Sequence, residues 1–487
     1  MEPQSQVQSG KSVELTITSP LDLLFNPRSV AIIGATPRKN SVGGVITKNL
    51  LTKFKGKVYL VNPKYDEVNG TKYYKSVLDV QDEVDLCVIA VPAPAVPKVT
   101  DECIRKGAKV TIIISGGFSE VGEEGARLEE ELKKVALNRI RVLGPNCIGV
   151  YNAFNGLDTF FLPEDRMGRP KPGPLALISQ SGAVAGAILD WAARRNIGVG
   201  LAVNYGNKLD INEAELLEYL AKDSRIKVIV MYMEGLKYPG EGKKLLDVLR
   251  EVVGIKPVVV YKAGRTKAAS GAVKSHTAAL AGNYEIYRAM LRQAGVIEAD
   301  NLTDAFDMAK ALATQPLPRG NRVLVITDSG GMGIQSVDAL DTRGLQVPEL
   351  SESLQEILRK QLPPLAVTRN PIDLTGSATD AMYKFVLDTV LPTSYVDMAL
   401  IIALMQIPGL TINLGNYIVE ARRFNKPIVV VSFGGNEYVA KFERHLEESG
   451  IPVYHAPHRA AKALWALYEY AKIKGAIRGS FSFHDYS

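Results

Sequence analysis

The chain has 487 residues, 46% of them hydrophobic and 23% charged, a composition that fits an ordinary globular protein of about three domains. A net charge of +6 with scattered basic residues argues against nucleic acid as a partner, and no apolar run is long enough to span a bilayer. Cys87, Cys103 and Cys147 form no CxxC pair, so neither a zinc site nor a disulfide framework is expected, which fits a reducing cytoplasm. Residues 1–20 read as a disordered tail; Met1 to Thr18 is polar and lacks the apolar core of a signal peptide.

From Ser29 the pattern is βαβα. Strands are expected at Ser29–Ile33, Lys57–Val61, Val84–Val91, Lys109–Ile114 and Arg141–Leu143, with a helix at Val45–Thr52. Each strand ends in small or turn-forming residues: Gly34-Ala-Thr36, Asn62-Pro63, Pro92, Ser115-Gly-Gly117 and Gly144-Pro-Asn146. In an open parallel sheet these carboxyl ends form the ligand crevice. The first turn lacks the second glycine of a GxGxxG fingerprint, and Asn62-Pro63 stands where an acid would meet a ribose. A phosphorylated cofactor other than NAD is therefore expected there, since a Gly-rich turn before a helix still offers free N–H groups.

A Pro- and Gly-rich stretch, Arg166 to Pro174, reads as a linker. Beyond it, the strand Pro174–Ile178 runs into Ser179-Gln-Ser-Gly182 and a helix over Ala183–Arg194, either an ordinary cap or a phosphate cradle. Strands at Gly198–Val203, Lys227–Met233 and Pro257–Tyr261 follow, with a helix over Asn212–Ala221. Glu234 closes the second of these strands, as a solvated strand end or as a carboxylate on the ligand side. After Tyr261 comes a loop of small residues and cations, Lys262 to Gly282, which contains His276 and has Gly264, Gly271 and Gly282 as hinges. A lone loop histidine is usually a bystander. Set beside a helix start for an anion and a carboxylate, His276 suits a phosphorylated histidine, with the carboxylate holding one ring N–H and the other nitrogen acting as nucleophile.

A linker at Gln315–Gly320 opens a third βα series, with strands at Arg322–Thr327, Asp397–Leu404, Pro427–Ser432 and Ile451–Tyr454. Asp328-Ser-Gly-Gly-Met-Gly333 and Ser432-Phe-Gly-Gly435 repeat the strand, glycine turn, helix pattern, and Asn370-Pro-Ile-Asp-Leu-Thr-Gly376 reads as a structured loop. His445, His455 and His458 lack metal-like partners and read as structural. No metal site is expected.

Taken in order, SVAIIGAT, VNP, ISGGF, LGPN, LISQSGAV, YMEG, KAGR, SHTAALAG, TDSGG and NPIDLTG resemble the α subunits of the ADP-forming acetyl-CoA synthetases, within the NDP-forming acyl-CoA synthetase superfamily that includes succinyl-CoA synthetase. The resemblance runs from about Leu21 to Lys472. It implies an α/β chain of three domains: a Rossmann-like CoA-binding domain at 21–165, a flavodoxin-like phosphohistidine domain at 170–314 and a second flavodoxin-like domain at 320–475. It implies the conversion of acyl-CoA, ADP and phosphate to acid, CoA and ATP through an acyl phosphate and a phosphohistidine at His276 on a mobile loop. By the same resemblance, Gly34, Thr36, Pro63, Val91, Pro92, Ser115 and Asn146 line the CoA site. Ser181 and Gly182 open the phosphate-binding helix, and Glu234 orients His276. Relatives often carry Asn-Gly-Gly or Asn-Ala-Gly-Gly where this chain has Asp328-Ser-Gly-Gly331; the added negative charge would disfavour a phosphate at that turn.

Neither an ATP-grasp-like region nor a P-loop is found. The resemblance then implies ADP/ATP and Mg on a separate ATP-grasp-type β subunit, in a cytoplasmic α2β2 assembly acting on acetyl-CoA or a similar short acyl-CoA. The same chemistry on another carboxylic acid, a non-catalytic CoA-binding regulatory module, and a Rossmann dehydrogenase are the alternatives.

Overall fold

A computed structural model describes residues 19–269 and 283–475. Its strands form three sheets. The first runs Glu67–Val68, Thr71–Tyr74, Lys57–Val61, Ser29–Ile33, Leu86–Ile89, Val110–Ile113, Arg141–Leu143. It is parallel except for the short hairpin of its first two strands. Val30, Ala31, Ile32 and Leu86–Ile89 are almost wholly buried, as a parallel sheet covered on both faces requires.

The second sheet runs Ile297–Glu298, Val258–Lys262, Val228–Met233, Leu175–Ser179, Val199–Asn204, Gly149–Asn152, Leu157–Asp158. Its last two strands are antiparallel and lie inside the span 21–165 expected for the first domain. Gly149–Asn152 pairs instead with Val199–Asn204, where Leu201 faces Asn152 and Asn204 faces Gly149, and Leu157–Asp158 pairs on its outer side. Without them that apolar strand would be an open edge. The Asn204 side chain fixes the junction by accepting Ile148 N–H at 2.8 Å.

The third sheet, Ile372–Asp373, Val323–Thr327, Met398–Ile402, Ile428–Val431, Val453–Tyr454, is wholly parallel. The loop read around Asn370 thus contributes a two-residue edge strand. Helices Leu302–Thr314 and Pro457–Ile473 pack against one another between the second and third sheets. Arg459 holds Asp307 through two hydrogen bonds, 2.5 and 2.8 Å long, so these helices are tied by charge as well as by alanines and leucines. All three cysteines are buried and unpaired. No described helix is long and apolar enough to cross a membrane.

Candidate active site

The turn after the first strand has little room. Gly34 takes φ +100°, and a Cβ there would lie 2.2 Å from the Ala90 carbonyl oxygen. Gly43, in the first turn of helix Val42–Lys53, would place a Cβ 2.1 Å from Gly34 O. Glycine at both positions lets the helix N-terminus close onto the ends of two neighbouring strands. Ser41 caps this helix by accepting Gly44 N–H at 3.2 Å. Asn62 stands where a dinucleotide fold would carry an acid, and here it ties two crevice loops together. Its amide donates to Ala35 O at 2.8 Å and accepts Lys64 N–H at 3.0 Å.

Around this turn the residues expected to meet CoA sit at the carboxyl ends of successive strands. Thr36 is half-buried beside the Tyr65 hydroxyl at 3.3 Å, while Pro63 and Pro92 are exposed and Val91 half-buried. Ser115 donates to Val91 O at 2.5 Å, and Asn146 N–H to Ser115 O at 2.9 Å. Asn146 has φ +56° and an exposed side chain that donates to Asn207 Oδ1 at 3.2 Å, which places it where the first and second domains meet. Sequence reading missed most of that seam. There Asn207 also donates to Glu120 Oε2 at 2.6 Å and Lys237 donates to Asn207 O at 2.9 Å, while Gly206 packs directly on the Pro145 and Asn146 carbonyls.

In the second domain the helix Gly182–Arg194 starts where Ser181 accepts Val184 N–H at 3.4 Å. A Cβ on Gly182 would approach Ile148 Cγ2 to 2.9 Å. The N–H groups of Gly182 and Ala183, the first two helical positions, have no intrahelical acceptor and carry the positive end of the helix dipole.

Glu234 is buried, 5% exposed, so the alternative of a solvated strand end does not hold. Its carboxylate accepts the Tyr232 hydroxyl at 3.1 Å. Its main chain is held from both sides. The Gln180 side chain accepts Glu234 N–H at 2.7 Å, and the Lys262 ammonium donates to Glu234 O at 2.7 Å. Lys262, 2% exposed, also donates to Ala263 O and sits 4.5 Å from the Tyr287 ring centre. Burial pulls this lysine down to about 8, partly offset by the nearby Glu234 charge. Gln180 and Lys262 were not singled out in the sequence. A lysine within an otherwise apolar strand end was the available signal.

His276 lies outside the described residues. Both sides of that stretch are anchored. Arg265 donates to Lys262 O at 3.0 Å and pairs with Glu298 at 3.3 Å, and Tyr284 bonds the same Glu298 carboxylate.

In the third domain Asp328 is 4% exposed. One carboxylate oxygen accepts Leu404 N–H at 2.8 Å, and the other has no hydrogen-bond partner. Burial pushes this group up to about 6, and the neighbouring Asp373 adds to the rise.

Three family descriptions match in succession: a CoA binding domain over residues 28–153, a succinyl-CoA ligase like flavodoxin domain over 172–312 and a ligase-CoA domain over 323–478. The chain is 41% identical over 465 residues to the acetate–CoA ligase [ADP-forming] I subunit alpha of Pyrococcus furiosus, covering 93% of this chain and 98% of that one. It is also 41% identical to the acetate–CoA ligase [ADP-forming] of Methanocaldococcus jannaschii, covering 93% of this chain but 64% of that longer protein. A solved structure of the Ca. Korarchaeum cryptofilum dinucleotide forming acetyl-coenzyme A synthetase 1, in complex with phosphate and ADP, superposes with a TM-score of 0.86 at 39% identity, over 95% of this chain and 99% of that one.

Proposed function

The chain belongs to the family of ADP-forming acetate–CoA ligase α subunits, and from that premise we propose that it converts acetyl-CoA or a similar short acyl-CoA, with phosphate and ADP, to the free acid, CoA and ATP. The CoA thioester lies across Gly34, Thr36, Pro63, Val91, Pro92, Ser115 and Asn146, at the carboxyl ends of the first sheet. A phosphate oxygen, held at the Ser181–Gly182 helix start, attacks the thioester carbonyl. The C–S bond breaks, CoA leaves as its thiolate and an acyl phosphate remains.

A ring nitrogen of His276 then attacks phosphorus, the P–O bond to the acyl group breaks, and the carboxylate leaves. Glu234 accepts the other ring N–H, which holds the tautomer and offsets the positive charge that develops on the imidazole. The phosphoryl group passes from His276 to ADP on a partner subunit of ATP-grasp type, within an α2β2 assembly in the cytoplasm. Mg belongs with ADP on that partner. Supporting this division, the chain spans nearly the whole of an α subunit relative but 64% of a longer ligase.

The observation that supports the reading is that Gln180, the residue just before the Ser181 helix cap, accepts the main-chain N–H of the buried Glu234. Incubation with acyl-CoA and radiolabelled phosphate should yield an acid-labile, base-stable phosphoryl group that His276→Ala abolishes together with turnover. Label that survives in the variant overturns the assignment. Glu234→Gln should slow phosphohistidine formation about 10²–10⁴-fold, read by rapid quench.

A further inference from the structure

Gln180 stands between strand Leu175–Ser179 and helix Gly182–Arg194 and is 7% exposed. The cap of that helix is complete without it, since Ser181 Oγ accepts Val184 N–H. The Gln180 main chain is held by two other segments. Its N–H donates to Tyr232 O at 3.1 Å and its carbonyl accepts the Asn204 amide at 3.0 Å.

The side-chain amide has one allowed orientation. Oε1 accepts two main-chain N–H groups, Glu234 at 2.7 Å and Gly235 at 3.1 Å, and lies 3.4 Å from the Tyr205 hydroxyl. Two obligate donors cannot face an NH2 group, so Nε2 occupies the other end of the amide. Nε2 has no acceptor among the described residues. Gln180 lies two residues before Gly182, whose N–H and that of Ala183 have no intrahelical acceptor.

We propose that Gln180 is a two-ended positioning residue, whose Oε1 fixes the main chain of Glu234 and whose Nε2 donates to the phosphate held at the Ser181–Gly182 helix start. One rigid amide then sets the distance between the anion and the carboxylate that orients the nucleophile. This inference rests on the roles given to Ser181, Gly182 and Glu234 under Proposed function. An amide suits the position because it offers a donor and an acceptor without charge. A lysine could not accept the Glu234 and Gly235 N–H groups, and a glutamate would face the phosphate with like charge.

The test uses the complete enzyme, reconstituted with its nucleotide-binding subunit, with inorganic phosphate as the varied substrate. Q180E keeps an oxygen for the Glu234 and Gly235 N–H groups and replaces the donor with a second oxygen. Its KM for phosphate should rise about 10- to 100-fold, the range for losing a hydrogen bond to a charged group, while kcat at saturating phosphate falls by less than about threefold. Q180M loses both ends, so KM should rise and kcat should fall as well. CoA affinity, measured by calorimetry, should match wild type in both and reports correct folding of Q180E should Q180M fail to fold. A Q180E enzyme with a wild-type KM for phosphate, or an equal kcat loss in both variants at unchanged KM, overturns the inference. Rapid-quench phosphohistidine formation in E234Q separates the two levels. If E234Q is unimpaired, the underlying reading fails. If E234Q is impaired while both Gln180 variants behave as wild type, only the role of Gln180 fails.

Discussion

Asp328→Asn should stabilise the protein, and by an amount that depends on pH. The carboxyl is 4% exposed, one oxygen is satisfied by Leu404 N–H and the other by nothing. The adjacent Tyr383 hydroxyl donates to Ile402 O, and its interaction with Asp328 offsets only part of the burial of that carboxyl. Burial disfavours the ionised form, which also faces Asp373. The folded-state value near 6 lies above the unfolded value of 3.8, so the stability this group contributes is fully present below 3.8 and is lost as pH rises through 6. A shift of that size corresponds to at most about 3 kcal/mol at neutral pH. Asparagine keeps an oxygen for Leu404 N–H and does not ionise. The variant should therefore melt at a temperature close to wild type at pH 4 and, at pH 7, about 6–10 °C above it if the third domain melts as its own unit of roughly 150 residues. Calorimetry at half-unit steps from pH 4 to 8 measures this. A melting-point difference that stays flat across that range, or favours wild type at pH 7, would refute the argument that burial of this carboxyl disfavours its ionised form.

Lys262→Met should remove an alkaline gain in stability. The folded lysine titrates near 8 against 10.5 unfolded, so its contribution is present above 10.5 and is lost as pH falls through 8; wild type should gain on the variant between pH 8 and 10, by at most about 3 kcal/mol, in urea titrations at several pH values. Gly34→Ala should weaken CoA binding at least about tenfold by calorimetry, because the new methyl would meet Ala90 O at 2.2 Å in a left-handed backbone and push the turn into the crevice. Gly206→Ala should lower the melting temperature and loosen the seam between the first and second domains, seen as faster hydrogen exchange at Asn207 and Leu209, because its Cβ would lie 2.3 Å from Asn146 O.

The buried strands were legible from the chain alone, because a parallel strand covered on both faces is written as a short apolar run and needs no knowledge of its partner. Ser29–Ile33, Lys57–Val61 and Arg141–Leu143 appear at the residues read for them. The turns that follow the strands were legible for a similar reason: a chain that must close a helix onto a strand end within a few residues writes glycine, serine and asparagine there, and Ser181-Gly182 is one such place. What lies on either side of those turns was decided by the tertiary structure. Gly149–Asn152 follows the first sheet in sequence but completes the second, because the exposed edge of Val199–Asn204 is what it covers, and that edge is nearly fifty residues away. Glu234 could have been a solvated strand end. It is buried, and Gln180 and Lys262, 54 and 28 residues distant, take its N–H and its carbonyl. Asp328 occupies an ordinary glycine turn by sequence, and its raised pKa comes from burial among Leu404, Tyr383 and Asp373, which arrive from three other segments. Local sequence sets which backbone groups and side chains need a partner; only packing brings that partner from a distant part of the chain, and with it the charge and hydrogen bonding of the site.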